Sequence, residues 1–430
     1  MVFRENVKSN LFTRVMIFGM AFVSSILTAR ALGPEQKGVL SFAWTGFTLI
    51  VSFGHLGLNN VIIYFHTRRH QPYPDMIQTN GSILFVMALG YGGALYGLKT
   101  AGVIPSVYTW GFLLLGAIFV GMHFQMVLFR AFYIAGQDLV RMNRYVLAAE
   151  VLGLLLIAGL FVTEDLTPST WVAAMCLVIL TQLILFVLNN PPAGIKLKFS
   201  VDLRLLKEEL GYGVHALLTG LFLFLIFRSD QFFIYYFLGD GPLGVYSVAV
   251  AIAGCFLFVP QSIATALAGK LYAHDDGDLE KYRFFFRTLK VSSGICLLMA
   301  LVGVGVSHWM IALYGTAFSP GLQALRILII STIFLSFSQL GNVLFFTEGK
   351  IRLCMILSGI ACFSNLALNV LLIPSWGIEG AAIASLISYA ILGGTSWTFM
   401  LKCSQLTLKK AILADSGLWA ELNAFLRMLR

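Results

Sequence analysis

The chain has 430 residues, of which 58% are hydrophobic and only 11% charged, with a formal net charge of +9. Soluble globular proteins carry roughly 25% charged residues, so this composition excludes a soluble enzyme or binding domain and specifies a multi-pass membrane protein. No stretch is polar enough to form a separate soluble domain, and one integral unit made of two halves is expected.

The first apolar segment, 10–31, follows a short basic stretch with Arg4 and Lys8. It continues for about twenty residues without a convincing cleavage site, as a retained helix does. Further segments of the first half fall at 39–66, 81–98, 107–129, 145–163 and 170–189. Those of the second half fall at 212–237, 244–268, 289–313, 321–346, 352–373 and 380–401. Each is long enough for a hydrocarbon core of about 30 Å. The expected fold is therefore an all-α polytopic membrane protein of about twelve transmembrane helices. Asn190-Pro191-Pro192 opens the longest inner connection. The organisation read from this is an N-terminal six-helix lobe (1–190), a cytoplasmic linker (191–211), a C-terminal six-helix lobe (212–402) and a cytoplasmic amphipathic tail (403–430).

The two lobes share a motif. LGPEQKGVLS at Leu32–Ser41 and LGDGPLGVYS at Leu238–Ser247 carry Leu, Gly, Gly, Val and Ser at identical spacing, 206 residues apart. Each copy lies between two apolar runs, with Gly and Pro to make a tight turn. An internal duplication is the usual build of a transporter whose halves rock about a midplane site.

Orientation follows from Lys and Arg. With both termini cytoplasmic, 23 of the 29 basic residues fall on inner segments, and the outer turns hold only Arg30, Lys37 and Lys99. The positive balance then reflects anionic lipid headgroups, and no nucleic-acid partner is implied. Two inner segments have an apolar helical face: Leu279, Tyr282, Phe285, Phe286 and Leu289, and Leu418, Leu422, Phe425, Leu426 and Leu429. Both are expected to lie in the headgroup plane.

Chemistry-bearing motifs are sparse. The six cysteines have no metal or disulfide spacing. His55, His123 and His215 lie near or within spans and read as hydrogen-bonded structural residues or proton carriers. Asp276-Gly277-Asp278 is a bare D-x-D in an acidic turn, and no nucleotide-binding loop is present. The sequence therefore implies no enzyme, cofactor or metal site, and transport has to draw on an ion gradient or on consumption of the product.

Charges within spans are more informative, because each costs about 2.5–3.5 kcal/mol on insertion scales. Arg228 lies near the middle of its span. Asp230, two residues on, is about 200° around the helix, so the two need separate partners. Arg14 and Arg326 lie nearer the ends and either face a lumen or snorkel. On the first helix Phe18, Ala21, Ser25 and Thr28 continue the face of Arg14, as a lumen or close helix packing requires. Glu150 has either a helix–helix partner or a proton-coupling role. Pro260 is the one proline well inside a span, a static kink or a hinge. Ser331, Ser338 and Asn342, and Ser364, Asn365 and Asn369, mark polar faces suited to helix–helix hydrogen bonds.

The segments ARALGPEQKG (Ala29–Gly38), FGHLGLNN (Phe53–Asn60), FRSDQFFIYYFLGDGPLGVYSVA (Phe227–Ala249) and NLALNVLLIPSWGIEGAAIASLISY (Asn365–Tyr389) resemble the polysaccharide-biosynthesis flippases. These belong to the multidrug/oligosaccharidyl-lipid/polysaccharide exporter superfamily. The resemblance implies a bacterial inner-membrane carrier of two six-helix lobes that moves undecaprenyl-pyrophosphate-linked sugar repeat units outward by alternating access. It also implies a cationic lumen, for which Arg14, Arg228 and Arg326 are the candidates, with a polysaccharide polymerase as a possible partner. Glu150 and Asp230 are the ion-coupling candidates, for H+ or Na+, and they keep a cation-coupled multidrug exporter of the same fold as the alternative. Three intramembrane Arg count against that alternative.

Overall fold

A computed structural model describes residues 2–55, 73–135, 138–189, 203–271 and 279–404, and every regular element among them is helical. The chain divides into two compact units between Leu217 and Leu218. Nine of the described helices are long and apolar enough to cross a membrane, ten if one bent pair counts as a span. The expected connector lies outside the described residues up to 202, while 203–211 already form the start of a helix; 405–430 and the D-x-D also lie outside them.

The first unit contains α1 (Val2–Phe53), α2 (Tyr73–Thr100), α3 (Trp110–Ala135), α4 (Leu139–Val162) and α5 (Pro168–Asn189). An unbroken α1 would run for roughly 80 Å, far beyond one hydrocarbon core. Its continuity ends at Gly33, whose φ of 66° and ψ of 178° are accessible only to glycine. Pro34 then opens the second arm, where its missing N–H leaves no bond unmade. Aromatic rings fill the interior: Trp44 meets Trp171 edge-on at 4.8 Å and also contacts Phe119. Thr28, expected on the face of Arg14, is buried here and accepts a hydrogen bond from the Trp171 indole at 3.1 Å. That end of the face serves helix packing.

The second unit is built from α6 (Leu203–Leu238), which straddles the division, α7 (Asp240–Cys255), α8 (Phe258–Leu271), α9 (Leu279–Ala312), a 3-10 turn (Thr316–Gly321), α10 (Leu322–Thr347) and α11 (Ile351–Ser404). α7 and α8 form the bent pair, with an angle of 43°. The break falls at Phe256 and Leu257, and Pro260 sits buried in the first turn of α8, where a proline costs no helical hydrogen bond. α11 is interrupted at Gly377, with φ 59° and ψ −140°. Residues eight apart on a straight helix are about 12 Å apart along the axis. Across this break, however, a β-carbon on Gly380 would collide with the carbonyl of Leu372. The chain doubles back there, and α11 is a hairpin of two arms.

Turn geometry repeats between the units. Gly33 and Gly239 share a positive φ, 66° and 89°, with ψ of 178° and −169°. Gly102 and Gly315 (φ 73° and 111°) are 213 residues apart, as are Glu164 and Gly377 (both 59°). The spacing lengthens by seven residues between the first turn and the second.

One expectation is overturned. The segment 279–289 is not a separate helix with its apolar face left for lipid. It is the beginning of α9, a continuous helix of 34 residues. Its apolar side, with Phe285, Phe286 and Leu289, packs into the core of the second unit against Leu267, Leu344 and Phe345. An amphipathic face satisfied by protein has no need of lipid.

Candidate functional site

The run Phe227-Arg228-Ser229-Asp230-Gln231 places four consecutive polar residues in the middle of Leu217–Leu238, the apolar part of α6. At 100° per residue they cannot share a face. Ser229, Asp230 and Gln231 are buried inside the second unit, and Arg228 points elsewhere and is half-buried. Arg228 makes no hydrogen bond or ion pair among the described residues; Asp230 and Tyr389 lie only within its electrostatic reach. The two charges are neighbours in sequence and, as expected, do not pair.

Asp230 is held on several sides. Its Oδ2 accepts from the Tyr246 hydroxyl on α7 at 2.5 Å, and its Oδ1 from the backbone N–H of Gln231 at 2.8 Å. Ser385 from α11 lies beside both Asp230 and Tyr246. A second chain of hydrogen bonds adjoins it: Ser229 donates to Asn365 Oδ1 at 2.9 Å, and Asn369 donates to the same oxygen at 2.9 Å. Asn369 Oδ1 and Asn365 Nδ2 remain buried without a hydrogen-bond partner. Each such group costs roughly 1–3 kcal/mol, a penalty tolerated where function needs a polar atom. The serines expected to join helices instead bond back to their own: Ser331 to Leu328, Ser338 to Leu335 and Ser364 to Ile360. Of these two polar faces, Asn365 and Asn369 are the residues that use their polarity across helices, through Ser229.

The first unit holds a different cluster. Arg130, near the end of α3, is half-buried and donates to Gln182 of α5 at 3.2 Å. Glu150 of α4 lies within electrostatic reach of that guanidinium, without direct contact. His123, seven residues before Arg130 on the same face of α3, rests against Phe119 at 5.2 Å, and its Nδ1 is buried without a partner. That seven-residue spacing was the signal in the sequence that Arg130 faces inward.

The remaining candidates fall apart from these two clusters. Arg14 is exposed between exposed Phe12, Val15 and Met16. Arg326 is half-buried, and its Nε donates to the buried Ser307 hydroxyl at 3.1 Å, so a neighbouring helix orients its guanidinium. Tyr246 was missed because its position reads as apolar core. Among the described residues no three His, Cys, Asp or Glu side chains converge as metal ligands.

Long apolar helices that carry guanidinium groups and an enclosed carboxylate network are those of an integral membrane protein with polar sites inside its spans. The sequence pattern of the polysaccharide biosynthesis proteins matches residues 27–323, and the chain belongs to that family. It is 31% identical over 172 residues to the probable flippase AglR of Haloferax volcanii, covering 38% of this chain and 35% of that one. The chain spans only 35% and 41% of the length of the curated relatives it matches. In fold it resembles the lipid II flippase MurJ in an inward closed conformation, with TM-score 0.73, 11% identity and coverage of 98% and 96% of the two chains. A mutant form of the Vibrio cholerae MATE transporter VcmN matches with TM-score 0.64, 19% identity and coverage of 97% and 99%. The fold is thus that of the MATE and MurJ transporters.

Proposed function

We propose that the protein is a flippase for lipid-linked oligosaccharides, carrying undecaprenyl-pyrophosphate-linked repeat units from the cytoplasmic to the outer leaflet of a bacterial inner membrane for surface polysaccharide. The observation that carries the reading is Arg228, a half-buried guanidinium in mid-span without a hydrogen-bond partner among the described residues. An unpaired cation there is costly unless an anion comes to it, and a diphosphate accepts the planar bidentate fork of Arg. Arg326, oriented by Ser307, and Arg14 are the other two cations proposed for a lumen. Counting α1 and α11 twice, at their breaks at Gly33 and Gly377, and α7–α8 as one span brings the crossings to twelve, six in each half. Alternating access is the mechanism this architecture suits, with the bend beside Pro260 as hinge. Asp230, the carboxylate held by the Tyr246 hydroxyl and the Gln231 N–H, is the site of coupling to one monovalent cation, H+ or Na+. Glu150, facing Arg130, is the second coupling candidate.

The test is Arg228→Ala. Surface polysaccharide is expected to disappear while the protein still reaches the membrane, and Arg228→Lys restores it only in part, because an ammonium lacks the fork. Normal polysaccharide at normal protein level sinks the assignment. Loss of resistance to cationic dyes in Asp230→Asn or Glu150→Gln, with polysaccharide intact, supports the multidrug exporter instead.

A further inference from the structure

Tyr246 is fully buried, and its hydroxyl has one strong acceptor, Asp230 Oδ2 at 2.5 Å. The other groups beside this carboxylate are the Gln231 N–H from α6 and Ser385 and Tyr389 from α11, with Arg228 pointing away but within electrostatic reach. A hydrogen bond to an ionised acceptor is among the strong ones. A cation that comes to this carboxylate competes with the phenol for Oδ2.

The first unit makes the duplicated turn without this bond. Gly33 and Gly239 turn the chain alike, and 206 residues before Asp230 and Tyr246 stand Ser24 and Leu40. Leu40 is as deeply buried as its counterpart. At the spacing of the later turns, Val172 stands for Ser385, Leu152 for Asn365 and Leu156 for Asn369. At these positions the first unit has Ser24 and otherwise apolar side chains, so the Tyr246–Asp230 pair is particular to the second unit.

We propose that Tyr246 is a positioning residue of the Asp230 site: it occupies one carboxylate oxygen and thereby sets the affinity of that site for its cation. The proposal rests on the coupling role given to Asp230 above. Only one carboxylate is enclosed there, so the ligand is a monovalent cation, for which Na+ serves as the probe.

The experiment is binding of radioactive Na+ to the purified full chain, with choline as the replacement ion. Tyr246→Phe removes the competing donor and is expected to tighten Na+ binding about tenfold, and Asp230→Asn is expected to abolish it. The double variant Asp230→Ser/Tyr246→Leu installs the pair found in the first unit. It is expected to elute and melt like the wild type and to bind no Na+. Unchanged affinity in a folded Tyr246→Phe, with Asp230→Asn inactive, overturns the role of Tyr246 and leaves the coupling reading standing. A wild type that binds no Na+ overturns the role of Tyr246 and leaves H+ as the one coupling ion of the Asp230 reading, without touching the substrate assignment tested at Arg228. If Tyr246→Phe does not fold, Tyr246→Leu, which keeps Asp230 and installs the residue of the first unit, is measured in its place: tighter Na+ binding upholds the proposal, and unchanged binding or failure to fold overturns it.

Discussion

Glu164 is the one residue other than glycine with a positive φ, 59°, among those described. It ends α4 as a left-handed cap: the N–H of Asp165 closes back on the Leu160 carbonyl at 3.0 Å, as that of Val103 does on Leu98 after Gly102. A β-carbon in this conformation costs about 1–2 kcal/mol, and the repeat-related residue is Gly377 with the same φ. Glu164→Gly is therefore expected to stabilise the protein by about 1 kcal/mol, less the larger entropy that glycine loses on folding. Gly239→Ala is expected to destabilise it by about 1–3 kcal/mol, because its φ of 89° and ψ of −169° suit glycine alone. Thermal unfolding of the purified variants reads both, and a Glu164→Gly that melts lower would show that the carboxylate contributes more than the strain costs. Gly33 and Gly239 were legible in advance because the LG turn recurs as a string. Glu164 was not, since a glutamate carries no turn signal of its own.

At the level of elements, the hydropathy of each span was readable because lipid demands it, and the partner of each polar side chain was not. α9 shows the limit. Its first turns have an amphipathic pattern that lipid and protein satisfy equally well, and only packing decides between them. Within those turns Lys281 is fully buried and pairs with Glu348, at the end of α10, at 2.7 Å. Lys350 approaches the same carboxylate at 3.9 Å and reaches Cys403 Sγ on α11 at 3.2 Å. A lysine near a helix start and a glutamate at a helix end both oppose the helix dipoles, so the pair is held by mutual attraction and not by helix propensity. Removing one partner strands a buried charge at a cost of about 3–5 kcal/mol, whereas an apolar pair is close to neutral. Lys281→Met and Glu348→Leu are each expected to lower the amount of folded protein recovered from membranes, and the double variant to restore it. A double variant no better than the worse single one would show that the charges, and not the space they fill, are required.

For the whole molecule the open question is which face of the membrane each helix end meets, and two independent residue classes bear on it. In the first unit the exposed ring pair Tyr96 and Trp110, 5.2 Å apart, lies at the turn that joins α2 to α3, whereas exposed Arg141 and Arg144 lie at the start of α4. In the second unit Tyr236, Trp309 and Trp376 are exposed beside the turns at Gly239, Gly315 and Gly377, and the exposed cations Arg283, Arg352 and Lys402 lie at the opposite helix ends. Interfacial Trp and Tyr settle at headgroup depth on either side, but Lys and Arg collect on the cytoplasmic side, so the aromatic turns are expected to be external. Single cysteines in place of the exposed residues Asp165, Thr316 and Glu379, in a background freed of the six native thiols, are expected to react with a membrane-impermeant maleimide in intact spheroplasts. Cysteines at Arg141, Arg283 and Arg352 should react only after lysis. Reaction of the second set in intact spheroplasts would invert the molecule and, with it, the direction in which a substrate loaded from the cytoplasm would move. Mixed labelling within one set would instead remove a crossing and break the six-plus-six count, a result that the charge pattern alone does not anticipate because it constrains each turn only through its neighbours.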